Sequence, residues 1–271
     1  MKVIVTSDQH LGYDKSDRTS FSKFLDNLAS DLAPTDFVLL GDVVDMWRRD
    51  ASGVFLESHD ILEKILGLTA KMNVYFVAGN HDYHVLRLVN KPGRFYPIMF
   101  YPIPPSPDLV LHDGNYQYLF KHGWEYDEEQ QPPIMEAMCR AMSDETGDIE
   151  SNIWNILTHE SGFLEELKSV ANRERRKQQI HHLQLRPEER LTDFLLRRVE
   201  QKACNDVKAN QVVVFGHTHV PFVNKKENVA NTGSWVTDAP ADYDTYVELS
   251  NGKPRLFVFG GQEITTRKDL C

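Results

Sequence analysis

Continuous apolar runs alternate with amphipathic helical segments along the first hundred residues, and this alternation constrains the fold more than any other feature. Three runs have the continuous apolar composition of buried strands: Lys2–Ser7, Asp36–Asp42 and Asn73–Asn80. Two segments between them, Arg18–Leu32 and Val54–Ala70, space their apolar residues like one face of a helix. Strands without polar alternation are typical of a parallel sheet covered on both faces. The sequence therefore predicts an α/β fold.

The later part of the chain predicts more strands around a helical insertion. Two apolar stretches flank Asp113–Asn115, and two more flank Asn251–Gly252. Asp-Gly and Asn-Gly turns between such stretches predict β-hairpins. Between about residues 127 and 210, strand-like apolar runs give way to charged sequence with the residue spacing of helices. We therefore predict a core made of residues 1–126 and 211–271, with a helical cap insertion at 127–210.

Charge and cysteine usage restrict the expected partners and compartment. The 271-residue chain carries a formal net charge of -10 at pH 7, which disfavours general nucleic-acid binding. Its three cysteines fit no CxxC spacing and leave one unpaired in any disulfide scheme, so we expect a reducing, cytoplasmic location. No apolar run suits a signal peptide or a transmembrane segment. The pattern does not indicate an oligomeric state.

Side chains that can bind metals follow five of the predicted strands, each directly at the carboxyl end of its strand. They are Asp8 and His10, Asp42 and Asp45, Asn80 with His81 and Asp82, His122, and His217 with His219. Because the carboxyl ends of strands in an open parallel sheet face one crevice, we expect these side chains to meet. Positions i and i+2 of extended backbone point the same way, so His217 and His219 can both present an imidazole there.

The chemistry of this set indicates two cations. Carboxylate, amide and imidazole donors without thiolate suit Mn, Fe or Zn better than Ca or Mg. Two aspartates, an asparagine and four histidines of this set give seven candidate ligands, which are too many for one ion with an open position for water, whereas two ions sharing a carboxylate fit. A pair about 3.5–4 Å apart, holding a hydroxide and clamping an in-line displacement, is usual in phosphoester hydrolysis. We therefore predict two divalent cations, with Mn²⁺ favoured, and a phosphate-ester substrate.

The ordered motifs DQH, GDVVD, GNHD, HG and GHTH resemble those of the calcineurin-like metallophosphoesterase superfamily. The resemblance implies a four-layer αββα sandwich with a helical cap insertion. It implies two cation sites formed by Asp8, His10 and His219 and by Asn80, His122 and His217, with Asp42 bridging them. It further implies that His81 protonates the leaving oxygen while Asp45 orients its ring, and a carboxylate partner favours the protonated form that such an acid needs.

The sequence leaves open which substrate is cleaved and whether the protein is an enzyme at all. GDVVDMW, GHTHVP with NTGSW, and the insertion are similar to the UDP-2,3-diacylglucosamine pyrophosphatase-like subgroup, but His81 stands where that subgroup typically carries arginine. A histidine acid assists a poor alkoxide leaving group, so a phosphomonoester or phosphodiester is favoured over a nucleotide-linked lipid or sugar pyrophosphate. A DNA-end nuclease and a non-catalytic scaffold share the core motifs. The acidic charge opposes the nuclease, and the full ligand set opposes the scaffold.

Three side chains near the motif turns are candidates for substrate binding. Arg48 and Arg87 follow motif turns, where a guanidinium suits a second phosphate. His84 comes just after the turn that carries His81. For each, a surface or packing role is the competing interpretation.

Overall fold

The computed structural model describes residues 1–89, 97–101, 108–127, 191–264 and 267–269. Its strands, β1 to β13, are Lys2–Thr6, Asp36–Leu40, Asn73–Val77, Met99–Tyr101, Leu109–Asp113, Tyr116–Phe120, Gln211–Phe215, Phe222–Asn224, Val229–Asn231, Thr245–Ser250, Lys253–Val258, Glu263–Ile264 and Arg267–Lys268. Its helices, α1 to α5, are Arg18–Ser30, Ala51–Glu57, His59–Leu68, Val85–Val89 and Leu191–Asn205, and a 3₁₀ turn spans Trp124–Tyr126.

The strands form two sheets. The first has the order β12-β11-β10-β1-β2-β3-β4 and the second β13-β8-β9-β7-β6-β5. Strands β1 to β4 pair in parallel, as do β6 with β7 and β7 with β9. The parallel pairing predicted from the continuous apolar runs is confirmed.

Three apolar layers explain why these strands carry few polar residues. Helices α1 and α3 pack on the outer face of the first sheet, where Phe24 of α1 belongs to the buried cluster. Val5 of β1 and Val214 of β7 belong to a second cluster between the two sheets. Ala203 of α5 and Phe215 of β7 belong to a third, on the outer face of the second sheet. Each sheet is therefore covered on both faces, which confirms the αββα sandwich.

Both predicted hairpin turns are present. Strands β5 and β6 pair Asp113 with Tyr116, and β10 and β11 pair Ser250 with Lys253. In the second turn, Asn251 and Gly252 have φ values of 50° and 74°. Positive φ at both central residues is what a tight hairpin of this hand requires, and Asn-Gly provides it at low cost.

The helix predicted over Val54–Ala70 is instead two helices, α2 and α3, which meet at Ser58. Ser58 is buried, and its backbone leaves helical geometry at φ -112° and ψ 12°. The change of direction lets Val54 of α2 and Ile61 of α3 enter the same core cluster. Apolar periodicity alone could not reveal the break, because the 3.6-residue spacing continues across Ser58.

Most of residues 127–210 lie outside the described residues, so the domain boundaries stay a prediction. Within that range α5 packs against β7 through Val199 and Ala203.

Cys204 is disulfide-bonded, unlike the reduced state expected from cysteine spacing, because pairing depends on which segments meet in space. Among the described helices, none has the length and apolar character needed to cross a membrane. The cytoplasmic location stays a prediction.

Candidate metal centre

The carboxyl ends of five strands from both sheets lie at one edge of the sandwich. Asp8, after β1, has Oδ1 3.1 Å from Nε2 of His219, after β7. Asp42, after β2, has Oδ2 3.3 Å from Nε2 of His122, after β6. Asn80 Oδ1, after β3, is 3.2 Å from Nδ1 of His217. Each distance joins the first sheet to the second, so the predicted site residues come together.

The backbone at this edge is unusual. Five of these residues have left-handed φ values: Asp8 at 58°, His10 at 47°, Asp42 at 53°, His217 at 64° and His219 at 56°. Residues other than glycine are uncommon in this region, which costs about 1–3 kcal/mol for most of them, and a cluster of five at one edge indicates a functional site. The extended backbone expected at His217 and His219 was wrong. Their left-handed turn directs the two rings to different partners.

Three overlapping groups of side chains have ligand atoms within 4.8 Å of one another. The groups are Asp8 with His10 and His219, Asp8 with Asp42 and His122, and His10 with Asp45 and His81. The first contains three of the residues expected to share one cation. The second places Asp42 next to the buried ring of His122.

Two buried polar atoms in this centre lie close to an oppositely charged group but form no hydrogen bond of acceptable geometry: Oδ1 of Asp8, 3.1 Å from Nε2 of His219, and Nε2 of His122, 3.3 Å from Oδ2 of Asp42. The other oxygen of Asp8 accepts hydrogen bonds from the hydroxyl of Ser7 and from the backbone N–H of His217. Nδ1–H of His122 donates to the carbonyl of Leu40 at 2.7 Å, so Nε2 is the ring nitrogen directed at Asp42 and Asp8. Since buried polar atoms are normally paired, an unpartnered oxygen and an unpartnered nitrogen side by side fit a divalent cation.

Asp45 is fully buried and connects two of the histidines. Its Oδ2 accepts from Nδ1–H of His10 and its Oδ1 from Nδ1–H of His81, both at 2.9 Å. Arg48 contacts the same carboxylate, and its guanidinium carbon lies 4.4 Å from the ring centroid of Tyr13. Because Nδ1 of His10 and of His81 is hydrogen-bonded to Asp45, Nε2 is the ring nitrogen that each histidine can offer to another group.

Opposite charges set the protonation of the centre. Burial would raise the pKa values of Asp8, Asp42 and Asp45, but the surrounding histidines hold all three below the usual range. Burial would lower the pKa values of His10 and His122, but the carboxylates raise both to about 10. In the absence of cations, the carboxylates of Asp8, Asp42 and Asp45 thus face the protonated rings of His10 and His122.

Asp82 has a supporting role that the sequence did not reveal. It is fully buried, and its two oxygens accept from the backbone N–H groups of Gly79 at 2.7 Å and Val43 at 2.8 Å. Burial and the charge of Asp42 raise its pKa to about 7. Asp82 ties the turn after β3 to the turn after β2. The GNHD motif was the available signal, but a motif does not show which backbone groups its last residue will meet.

The candidate substrate contacts occupy different positions. Arg48 contacts the centre through Asp45, and its side chain is 45% exposed. His84 is half-buried and directly precedes α4, whereas Arg87 is exposed within α4, where its backbone N–H donates to the carbonyl of His84. Asp127, which the sequence analysis did not single out, has Oδ2 3.6 Å from Nε2 of His217.

Comparisons with known proteins identify a family for this sequence. The sequence model of a family described as calcineurin-like phosphoesterase matches residues 1–221. The UDP-2,3-diacylglucosamine hydrolase of Shewanella baltica (strain OS155) is 31% identical over 84 residues, which are 31% of this chain and 34% of that protein. The match thus spans about a third of the length of that relative.

Two solved structures were also found to be similar. Yfce, a phosphoesterase from E. coli, is 15% identical with a TM-score of 0.47, over 98% of this chain and 97% of that one. A cold-active protein-tyrosine phosphatase of a psychrophilic Shewanella species is 15% identical with a TM-score of 0.42, over 97% and 80%.

Proposed function

Because the chain belongs to the calcineurin-like phosphoesterase family, we propose that it hydrolyses a phosphoric ester with the help of two divalent cations. One observation carries the proposal. Carboxylate, amide and imidazole groups from both sheets meet at one edge, where Asp8 Oδ1 and His122 Nε2 are buried without hydrogen-bond partners. Such a donor set is costly to bury unless a ligand completes it.

Two cation positions are proposed, with the ligands Asp8, His10 and His219 for one and Asn80, His122 and His217 for the other. Asp42 is proposed to bridge them, since its Oδ2 lies 3.3 Å from Nε2 of His122 and 3.7 Å from Nε2 of His10. The mixed oxygen and nitrogen donors suit Mn²⁺, with Fe or Zn as alternatives. When bound, the cations would supply the activated water and the positive charge that an in-line displacement at phosphorus needs.

His81 is proposed as the general acid for the leaving oxygen. Its Nδ1 is hydrogen-bonded to Asp45, whose carboxylate orients the ring, so Nε2 is the ring nitrogen that could donate a proton to the leaving oxygen. Trp47 stacks on the ring with 4.2 Å between centroids, which fixes the ring plane. Arg48 beside Asp45 is proposed to contact a phosphate oxygen, because a guanidinium can form two parallel hydrogen bonds to phosphate.

A phosphomonoester or phosphodiester is the favoured substrate, because an alkoxide leaving group gains most from a histidine acid. The second candidate is a pyrophosphatase acting on a nucleotide-linked lipid or sugar. The observation that favours it is the 31% identity over 84 residues to a UDP-2,3-diacylglucosamine hydrolase.

A substrate panel tests both candidates. With Mn²⁺ added, the purified protein should hydrolyse p-nitrophenyl phosphate or bis-p-nitrophenyl phosphate, lose the activity to a chelator, and recover it when Mn²⁺ is restored. The panel should include UDP-linked sugars and single-stranded DNA. Preferential cleavage of a UDP-linked pyrophosphate would favour the second candidate. Protein that binds two cations yet cleaves no member of the panel would contradict the enzymatic proposal.

Cation binding is expected to release protons and to strengthen as the pH rises. The carboxylates hold the pKa values of His10 and His122 at about 10, so both rings are protonated at neutral pH. A cation binds only a neutral ring nitrogen, so loading the centre at pH 7 should release about two protons. Calorimetric titration of Mn²⁺ in buffers of different ionisation enthalpy measures that number. Equal heats in all buffers would show that neither ring loses a proton.

A further inference from the structure

Asn231 holds the turn that carries His217 and His219. It is the last residue of β9 and is fully buried. Its Nδ2 donates to the carbonyl of Gly216 at 2.8 Å and to Oγ1 of Thr218 at 3.0 Å, while its Oδ1 accepts from the N–H of Gly233 at 2.8 Å. The two donated bonds fall on either side of His217.

The turn needs such support because its backbone is strained. His217 and His219 have φ values of 64° and 56°, and the N–H of Thr218 reaches back to the carbonyl of Gly216 at 2.7 Å. Residues persist in this conformation only where surrounding contacts over-determine it. Asn231 supplies two of those contacts from a neighbouring strand, and the bond from the N–H of His217 to Asp8 supplies another.

The left-handed turn determines the directions in which the two histidine rings point. His217 directs Nδ1 to Asn80, whereas His219 directs Nε2 to Asp8. If the turn relaxed to extended backbone, positions i and i+2 would point the same way and the two rings would crowd one side. We propose that Asn231 is a positioning residue that distributes these two histidines between the two cation positions. This inference rests on the proposed metal centre.

Asn231→Ala removes both donated hydrogen bonds without touching a proposed ligand. Substitution of groups that orient metal ligands typically weakens binding about 10–100-fold, and we expect Mn²⁺ affinity to fall within that range. The absorption spectrum of the Co²⁺-loaded protein should also change, because the geometry around the cations is altered. Equilibrium dialysis with elemental analysis measures the affinity.

Asn224→Ala is the matched control. Asn224 is also fully buried in the second sheet, and its side chain holds a turn by bonding to Asn228 and to the N–H of Val229. Both variants should lower the thermal stability of the cation-free protein, because each loses buried hydrogen bonds. Only Asn231→Ala should change Mn²⁺ affinity and the Co²⁺ spectrum.

Thr218→Val keeps the inference testable if Asn231→Ala does not fold. It removes the acceptor for one donated bond and leaves both histidines in place, so we expect a smaller loss of affinity in the same direction. Wild-type affinity and an unchanged Co²⁺ spectrum in Asn231→Ala, or in Thr218→Val if only that variant folds, would overturn the role of Asn231. Failure of the wild-type protein to bind Mn²⁺ would instead overturn the proposed centre itself.

Discussion

Replacing Asp42 by asparagine is expected to abolish ester hydrolysis by removing the charge that lies between the two proposed cation positions. Its Oδ2 is near Nε2 of both His10 and His122, and its Oδ1 accepts from the backbone N–H of His81 at 2.8 Å. Asparagine keeps the shape but is a neutral, poorer ligand. We expect Mn²⁺ affinity to fall by about 100-fold or more and activity to vanish at Mn²⁺ levels that saturate the wild type.

Asp36→Asn is the control for this change. Asp36 is buried on the same strand at its opposite end, where it accepts hydrogen bonds from Asn73 and Tyr75. The Asp36→Asn protein should therefore retain its bound cations, even if its folding stability is reduced. Elemental analysis after dialysis, together with turnover, separates the two variants. An Asp42→Asn protein with its full cation content and activity would rule out a bridging carboxylate.

Replacing His81 by alanine should reduce turnover by about 10²–10⁴-fold while leaving the cation content unchanged. The reason is that His81 is proposed as a proton donor and is absent from both ligand sets. The loss should be larger for an alkyl ester than for a p-nitrophenyl ester, because p-nitrophenolate leaves readily without a proton. Steady-state rates on such a pair of esters, measured beside the cation content, check the prediction.

The exposed His59 at the start of α3 provides the control, since His59→Ala should leave both rates unchanged. Parallel loss of cations and activity in His81→Ala would show that His81 acts as a ligand. An equal loss on both esters would also exclude the role of proton donor, because an acid matters most where the leaving group is poor.

The sequence was most informative where a short pattern determines a local structure. Continuous apolar runs predicted β1, β2 and β3 as parallel strands because a covered sheet has no polar face. Asn251–Gly252 predicted its hairpin because both residues adopt positive φ. The candidate ligands could be picked out because they follow strands directly, and strand ends are visible in the sequence.

Contacts between segments that are distant in the chain could not be predicted from the sequence. No pattern shows that the five strand ends divide between two sheets, or that Asp82 will bond to the N–H of Val43. Asn231, whose amide donates to Thr218 between the left-handed residues His217 and His219, lies 13 residues beyond Thr218 on another strand. A single sequence records which residues are present, but these roles depend on which backbone groups the fold brings near them.

The contacts that join Asp8 to His219, Asp42 to His122 and Asn80 to His217 also bear on the mechanics of the sandwich. Apolar packing between the two sheets is close but non-directional, whereas these polar contacts are directional and add a constraint on how the sheets align. The alignment of the sheets and the geometry of the centre are therefore a single mechanical property, and a change of volume at an interior position such as Val214 can reach the centre without touching it.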